Sequence, residues 1–218
     1  MHPEVVDRPE NWPTLNREVQ ASGRIQNFIE DAIATPDGER LVRQWVGHPG
    51  AVAVMAMDAD DRIAVVHQYR HPVGYRLVEP PAGILDIDGE PAIEAARREL
   101  AEEAELAAAD WRILVDIFTS PGGLQESIRI FLARDLSKAP LPAGFQVEGE
   151  ETDMGLYWLP LRQLVDMVYA GQVQSPTMVS GTLALALAIE QGRLDRLRPA
   201  DAEWPARSAK EHRDHEIG

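Results

Sequence analysis

The chain has 218 residues, an apolar content of 44% and a net charge of −15. So acidic a surface repels phosphate backbones, which argues against a nucleic-acid partner, and without cysteine there are neither disulfides nor thiolate metal sites. No apolar run has the length that spans a bilayer, and the N-terminus lacks the basic start and apolar core of a signal peptide, so no membrane partner and a cytoplasmic location are expected.

Residues 1–22 carry Pro3, Pro9 and Pro13 without periodicity and read as an extended arm. Residues 24–35 and 39–46, parted by Pro36-Asp37-Gly38, read as a β-hairpin. Short apolar runs at 51–57 and 63–69 flank the turn 58–61 and predict two central strands. The consecutive prolines of Glu79-Pro80-Pro81-Ala82-Gly83 predict a loop, because they cannot donate to a ladder. Pro91 suits the first turn of a helix, and Ile93, Ala96, Leu100 and Ala104 recur at three- and four-residue spacing as its buried stripe. Strands follow at 111–118 and 128–133, then a Pro- and Gly-rich loop at 138–144 and an acidic stretch at 148–153. A last strand at 156–159 and helices at 161–170 and 177–190 complete a layered α/β pattern. From Arg198 the chain is highly charged and is expected to pack poorly.

The helix after Pro91 carries Arg98, Glu99, Glu102, Glu103 and Glu105. Glu99 and Glu103 share a side, one turn apart, and like charges at that spacing destabilise a helix by roughly 0.2–0.5 kcal/mol. Acidic groups toward a helix C-terminus also oppose the macrodipole. A hard cation would reverse the sign of these terms, and oxygen-only ligands suit Mg²⁺, with Mn²⁺ as an alternative. On the helix alone, a solvated charged face accounts for the same residues.

The surrounding pattern adds to this. From Gly83 the chain reads on to Glu90, then Arg98-Glu99-Leu100-Ala101-Glu102-Glu103-Ala104-Glu105-Leu106. This resembles the box of the Nudix hydrolases: a glycine, a spaced glutamate, then Arg-Glu-apolar-x-Glu-Glu-x-Gly-apolar. Two departures stand out. The gap from Gly83 to Glu90 is one residue longer than the usual pattern, a loop insertion. Glu105 replaces the glycine after the helix, so the helix is expected to run past its usual stop. The resemblance implies a Nudix-type α/β/α sandwich with a mixed sheet, plus the N-terminal hairpin extension. The catalytic domain then spans 48–197, with arm and hairpin at 1–47 and a charged tail at 198–218. It also implies Glu99 and Glu103 as the main metal ligands, assisted by Glu102 and the backbone carbonyl of Ala82. Arg98 would hold the carboxylates, with Glu102 as a helical partner, and Glu90 would cap or brace the helix.

Outside the box, residues 24–195 look most like the ADP-ribose pyrophosphatases. Gln68-Tyr69-Arg70 precedes the box, Pro121 lies beyond Leu106 at the expected offset, and Gly122-Gly123 with Glu126-Ser127 resembles a Pro-Gly…Glu-Ser loop. Pro80 departs from the leucine or phenylalanine common there. The resemblance implies a substrate, ADP-ribose, split into AMP and ribose 5-phosphate. Arg70 would contact phosphate, with Glu79 and Pro121 also assigned to substrate binding. The base that activates water would come from the acidic loop, Glu151 first and Glu150 second. A homodimer with exchanged N-terminal sheets would build the adenosine pocket. Phe28 and Trp45 could stack on the base there, although core packing accounts for either. Competing readings are a Nudix hydrolase for a nucleotide sugar or dinucleoside polyphosphate, a non-catalytic Nudix-fold sensor, and an interaction domain whose acidic helix binds a basic partner.

Overall fold

The N-terminal arm is in part a strand. Thr14–Ser22 (β1) pairs antiparallel with Asn27–Ala34 (β2), and β2 with Arg40–Gly47 (β3), so the expected hairpin is a three-stranded sheet. β1 is exposed along nearly its whole length. It therefore lacks the apolar alternation by which a half-buried strand is recognised. The structure is a computed structural model and describes residues 5–141 and 154–215, with side chains through Lys210. The acidic stretch holding Glu150 and Glu151 lies outside the described residues.

The chain divides into two compact units. The first comprises the described residues of Met1–Gly50, Phe118–Ser127 and Glu203–Gly218, and the second those of Ala51–Ile117 and Ile128–Ala202.

In the second unit, Ala51–Ala56 (β4) is buried on both faces, which is why this run reads as continuously apolar. Arg62–Arg70 (β5), a 3-10 turn at His71–Val73 and Tyr75–Glu79 (β6) follow. Ala82–Ile84 is a short strand (β7) paired with β4, so only Pro80 and Pro81 of the expected loop interrupt the strands. Next come a helix at Ala92–Ala104 (α1), Leu106–Phe118 (β8), Ser127–Lys138 (β9), Gly155–Pro160 (β10), and helices at Leu161–Tyr169 (α2) and Pro176–Glu190 (α3). Arg198–Pro199 (β11) completes a five-stranded sheet of order β11-β8-β9-β4-β7, in which β4 and β9 run parallel while β7 and β11 pair antiparallel. A second, antiparallel sheet has the order β10-β5-β6.

Helices cover both sides of β4. Ala53 and Met55 pack with Leu164 of α2 and with Met178 and Leu185 of α3. Val52 and Val54 alternate to the opposite face, and α1 packs on β4 and β7. This is the expected α/β/α layering with a mixed sheet.

Two further expectations are corrected. α1 does not run on past Ala104: Glu105 takes the left-handed conformation at φ 53, and its N–H bonds to the carbonyls of Ala101 and Leu100. A non-glycine residue therefore makes the stop that glycine makes most easily. The C-terminal stretch also packs. Arg198 Nη1 lies 2.8 Å from Asp116 Oδ2, Trp204 is buried, and Pro205–His215 is a helix (α4). Arg207 Nη1 donates to the carbonyl of Pro49 at 2.6 Å.

Candidate active site

The site is built on α1. Pro91 stands at its N-cap, and Ala95, Ala96, Leu100 and Ala104 are its buried residues. Ile93, expected in that stripe, is only partly buried, and Ala95 takes its place. Small buried residues let the helix approach β4 and β7 closely. Glu90 makes no side-chain cap at the helix start; it braces the helix through Arg98.

Arg98 is the hub. Its Nε and Nη2 donate to the two carboxylate oxygens of Glu90, each at 3.1 Å. This fork-to-fork geometry suits guanidinium and carboxylate. Its Nη1 donates to Glu99 Oε1 at 2.6 Å and to Glu102 Oε2, one turn on, at 3.2 Å. The Glu90 hydrogen bonds, then the charge of Glu99, raise the Arg98 pKa above its ordinary value against the opposing effect of burial. Arg98 thus stays charged and ties three carboxylates into one arrangement. The expected contacts of Arg98 with Glu99 and Glu102 are present as hydrogen bonds.

The other carboxylates meet the backbone. The N–H of Ala82 donates to Glu103 Oε2 at 2.9 Å. Glu99 lies against Gly83, whose missing side chain makes the space for its carboxyl group. One short stretch of chain, Ala82-Gly83, therefore touches both expected metal ligands.

This arrangement fits a hard divalent cation. Three carboxylates (Glu90, Glu99, Glu102) share the Arg98 guanidinium and a fourth, Glu103, meets the Ala82 N–H, leaving an excess of negative oxygen donors. Among the described residues no three acidic or histidine side chains converge enough to enclose an ion alone. Mg²⁺ does not require that, since water and substrate oxygens complete its shell. Glu99 and Glu103, with Glu102 and the Ala82 carbonyl, are the residues that would hold it.

Arg70, Glu79 and Gln68 come together on β5 and β6. Glu79 Oε2 accepts from Arg70 Nε at 2.9 Å and from Gln68 Nε2 at 2.7 Å. In the first unit, Trp45 and Pro121 line one cavity of about 1030 Å³ together with Trp12, Arg17 and Asp31. The Trp45 indole N–H donates to Asp31 Oδ2 at 2.9 Å, and Arg17 holds Asp31 through two bonds while its guanidinium sits 5.1 Å from the Trp45 ring centroid. Phe28 is not a core residue: it is 41% exposed. Glu150 and Glu151 lie outside the described residues.

The NUDIX domain model matches residues 47–178, more than half of the chain. The chain belongs to the Nudix family. It is 39% identical to the ADP-ribose pyrophosphatase of Mycobacterium tuberculosis over 194 residues, covering 89% of this chain and 91% of that protein. It is 38% identical to the methanol dehydrogenase activator of Bacillus methanolicus over 141 residues, 65% of this chain and 75% of that protein. Its fold is similar to a crystal structure of an ADP compounds hydrolase, with a TM-score of 0.69 at 24% identity over 87% of this chain and all of the other.

Within this Nudix chain, sequence reading missed Gln68, Arg17 and Asp31 as partners of the residues it singled out. Gln68 stands two residues before Arg70, the spacing that puts both on one face of a strand. Arg17, Asp31 and Trp45 are brought together by the register of three strands, in which Arg17 faces Asp31 and Ile29 faces Trp45.

Proposed function

We propose that this Nudix protein hydrolyses the pyrophosphate of ADP-ribose to AMP and ribose 5-phosphate, using Mg²⁺ or Mn²⁺. The observation that carries the reading is the Arg98 cluster. It presents Glu99 and Glu103 on a single helix, each packed against Ala82-Gly83. The 39% identity to an ADP-ribose pyrophosphatase over most of both chains supports the substrate.

A bound divalent ion would neutralise pyrophosphate oxygens and lower the pKa of a coordinated water. Arg98 holds Glu99 and Glu102 in place for that ion. Arg70 meets the anionic substrate. Glu151, with Glu150 as its neighbour and alternative, takes the proton of the attacking water. One P–O bond forms as the bridging one breaks. Trp45 and Pro121, with Phe28, serve nucleoside recognition in a cytoplasmic homodimer with exchanged N-terminal sheets. Leu15, Val19, Phe28 and Val42 are exposed on these strands, and an isologous interface is the commonest way to cover such a surface.

The test is product analysis. ADP-ribose with Mg²⁺ should yield AMP and ribose 5-phosphate in equal amounts, and EDTA should abolish the reaction. Faster turnover of a nucleotide sugar or dinucleoside polyphosphate would reassign the substrate. Binding without hydrolysis of any of them would make the protein a sensor. Light scattering at micromolar concentration should give twice the chain mass; a monomer would remove the dimer.

A further inference from the structure

Glu79 has a buried carboxylate, 7% exposed, at the end of β6. A buried carboxylate is tolerated only when paired, and among the described residues one oxygen of Glu79 takes every partner. Oε2 accepts from Gln68 Nε2 at 2.7 Å, Arg70 Nε at 2.9 Å and Arg70 Nη2 at 2.8 Å. The pairing follows from register. Val66 faces Glu79 across the β5–β6 ladder, so Gln68 and Arg70, two and four residues on, share its face of the sheet. Gln68 is buried as well, at 6% exposure, so the brace is fixed from behind.

Arg70 is not buried. Its side chain is 43% exposed, and its Nε–Nη2 edge is turned inward to Glu79. Among the described residues, Nη1 has no acceptor. A long side chain that must meet an anion loses rotamer freedom on binding, and a guanidinium held in advance loses less. Beyond Glu79 the chain is stiffened by Pro80 and Pro81, which fix φ. The Pro81 carbonyl accepts from Val54 N–H at 2.8 Å, and Ala82 N–H is bonded to Glu103. One short rigid segment therefore begins at the Arg70 brace and ends on an expected metal ligand.

We infer that Glu79 is a positioning residue: it does not touch substrate but holds Arg70 so that Nη1 faces a phosphate of the bound diphosphate. Gln68 sets the carboxylate, and the two prolines keep its spacing to Ala82. The inference rests on the pyrophosphohydrolase reading above.

Its test is a double-mutant cycle on the full-length protein: Glu79→Gln, Arg70→Ala and the double variant, assayed on ADP-ribose with saturating Mg²⁺. Removing one partner of a buried charged hydrogen bond lowers kcat/KM by about ten- to a hundredfold when that bond orients a substrate contact. Glu79→Gln and Arg70→Ala should each fall in that range, with the Mg²⁺ concentration for half-maximal rate unchanged. The double variant should lie within about twofold of Arg70→Ala, because Glu79 has no work once Arg70 is gone. Millimolar guanidinium should restore part of the activity of Arg70→Ala and none of that of the double variant. Losses that multiply, equal rescue of both variants, a shifted Mg²⁺ requirement, or wild-type kcat/KM in Glu79→Gln would each overturn the inference. If wild-type protein hydrolyses no diphosphate, the functional reading has failed. The same cycle is then run by calorimetry on ADP binding, where non-additive weakening upholds the brace and additive or absent weakening overturns it.

Discussion

Gly83 and Glu99 compete for the same space: a β-carbon on residue 83 would stand 2.0 Å from Glu99 Cδ and 2.1 Å from Oε1. No rearrangement of a few tenths of an ångström relieves that overlap. Because the obstacle is the far end of a flexible side chain, Gly83→Ala should fold, with Glu99 turned aside. The expected outcome is at least about a tenfold loss of turnover with a melting temperature within a few degrees of wild type, since the change displaces a proposed metal ligand and not core packing. Full activity in that variant would show that Glu99 is not needed in this position.

Metal ligand and base should separate by their response to Mg²⁺. Glu103→Gln should lower turnover by about a hundredfold or more, and raised Mg²⁺ should recover part of it. Glu151→Gln should lose about 10²–10⁴-fold, the usual cost of a general base, with little change in substrate affinity and no recovery at high Mg²⁺. Glu150→Gln and the double variant complete the set. Losses below about threefold in all of them would move the base elsewhere, with Glu102 the next residue to test.

The left-handed conformation at Glu105 predicts a gain. A side chain in that region costs about 1 kcal/mol or more, which glycine avoids. Glu105→Gly should therefore raise the stability measured by denaturant by about 1 kcal/mol without altering activity. A decrease would show that the Glu105 side chain contributes something the backbone geometry does not explain.

His48 predicts a pH dependence. Its Nδ1 accepts from the N–H of Gly50 at 3.1 Å and lies 3.5 Å from Glu126 Oε1. Burial lowers its pKa from the ordinary 6.5; Glu126 opposes this, and Lys210 adds to it. Below that ordinary value the unfolded chain takes up a proton that the folded chain resists, so ΔG of unfolding falls as pH drops. The loss begins near pH 6.5 and continues until the folded imidazole is protonated. His48→Gln should flatten this part of the stability–pH curve, as followed by thermal melts between pH 7.5 and 5. An unchanged slope would assign the dependence to other groups.

The sequence made legible the parts of the fold whose burial imposes a period. The α1 stripe at Ala96, Leu100 and Ala104 and the continuous apolar run of β4 were readable because a core selects them. β1 was not, because almost none of it is buried. The stop at Glu105 was not, because its cause is a local backbone state that residue type disfavours. Trp204 was the only signal that the charged C-terminal stretch packs, and its charged surroundings hid it. At the site, the carboxylates of α1 could be read from helical spacing. The grouping of Gln68, Arg70 and Glu79 depends on which residues face each other across two strands, and linear order does not state that.

The parallel ladder joining Ala51 to Ile128 and Ala56 to Ala133 bears on how the chain reaches its native state. Contacts between segments so far apart in order raise the contact order and slow folding, because a long loop must close before the pairing returns any free energy. During synthesis the ribosome releases β4 well before its partner. β5, β6 and α1 can form locally in the interval, while six apolar residues wait without a neighbour on that edge. The carboxylate helix thus lies inside the loop that must close. Nascent chains shorter than about residue 133 expose an unpaired apolar strand, the kind of surface on which chaperones act and aggregates begin.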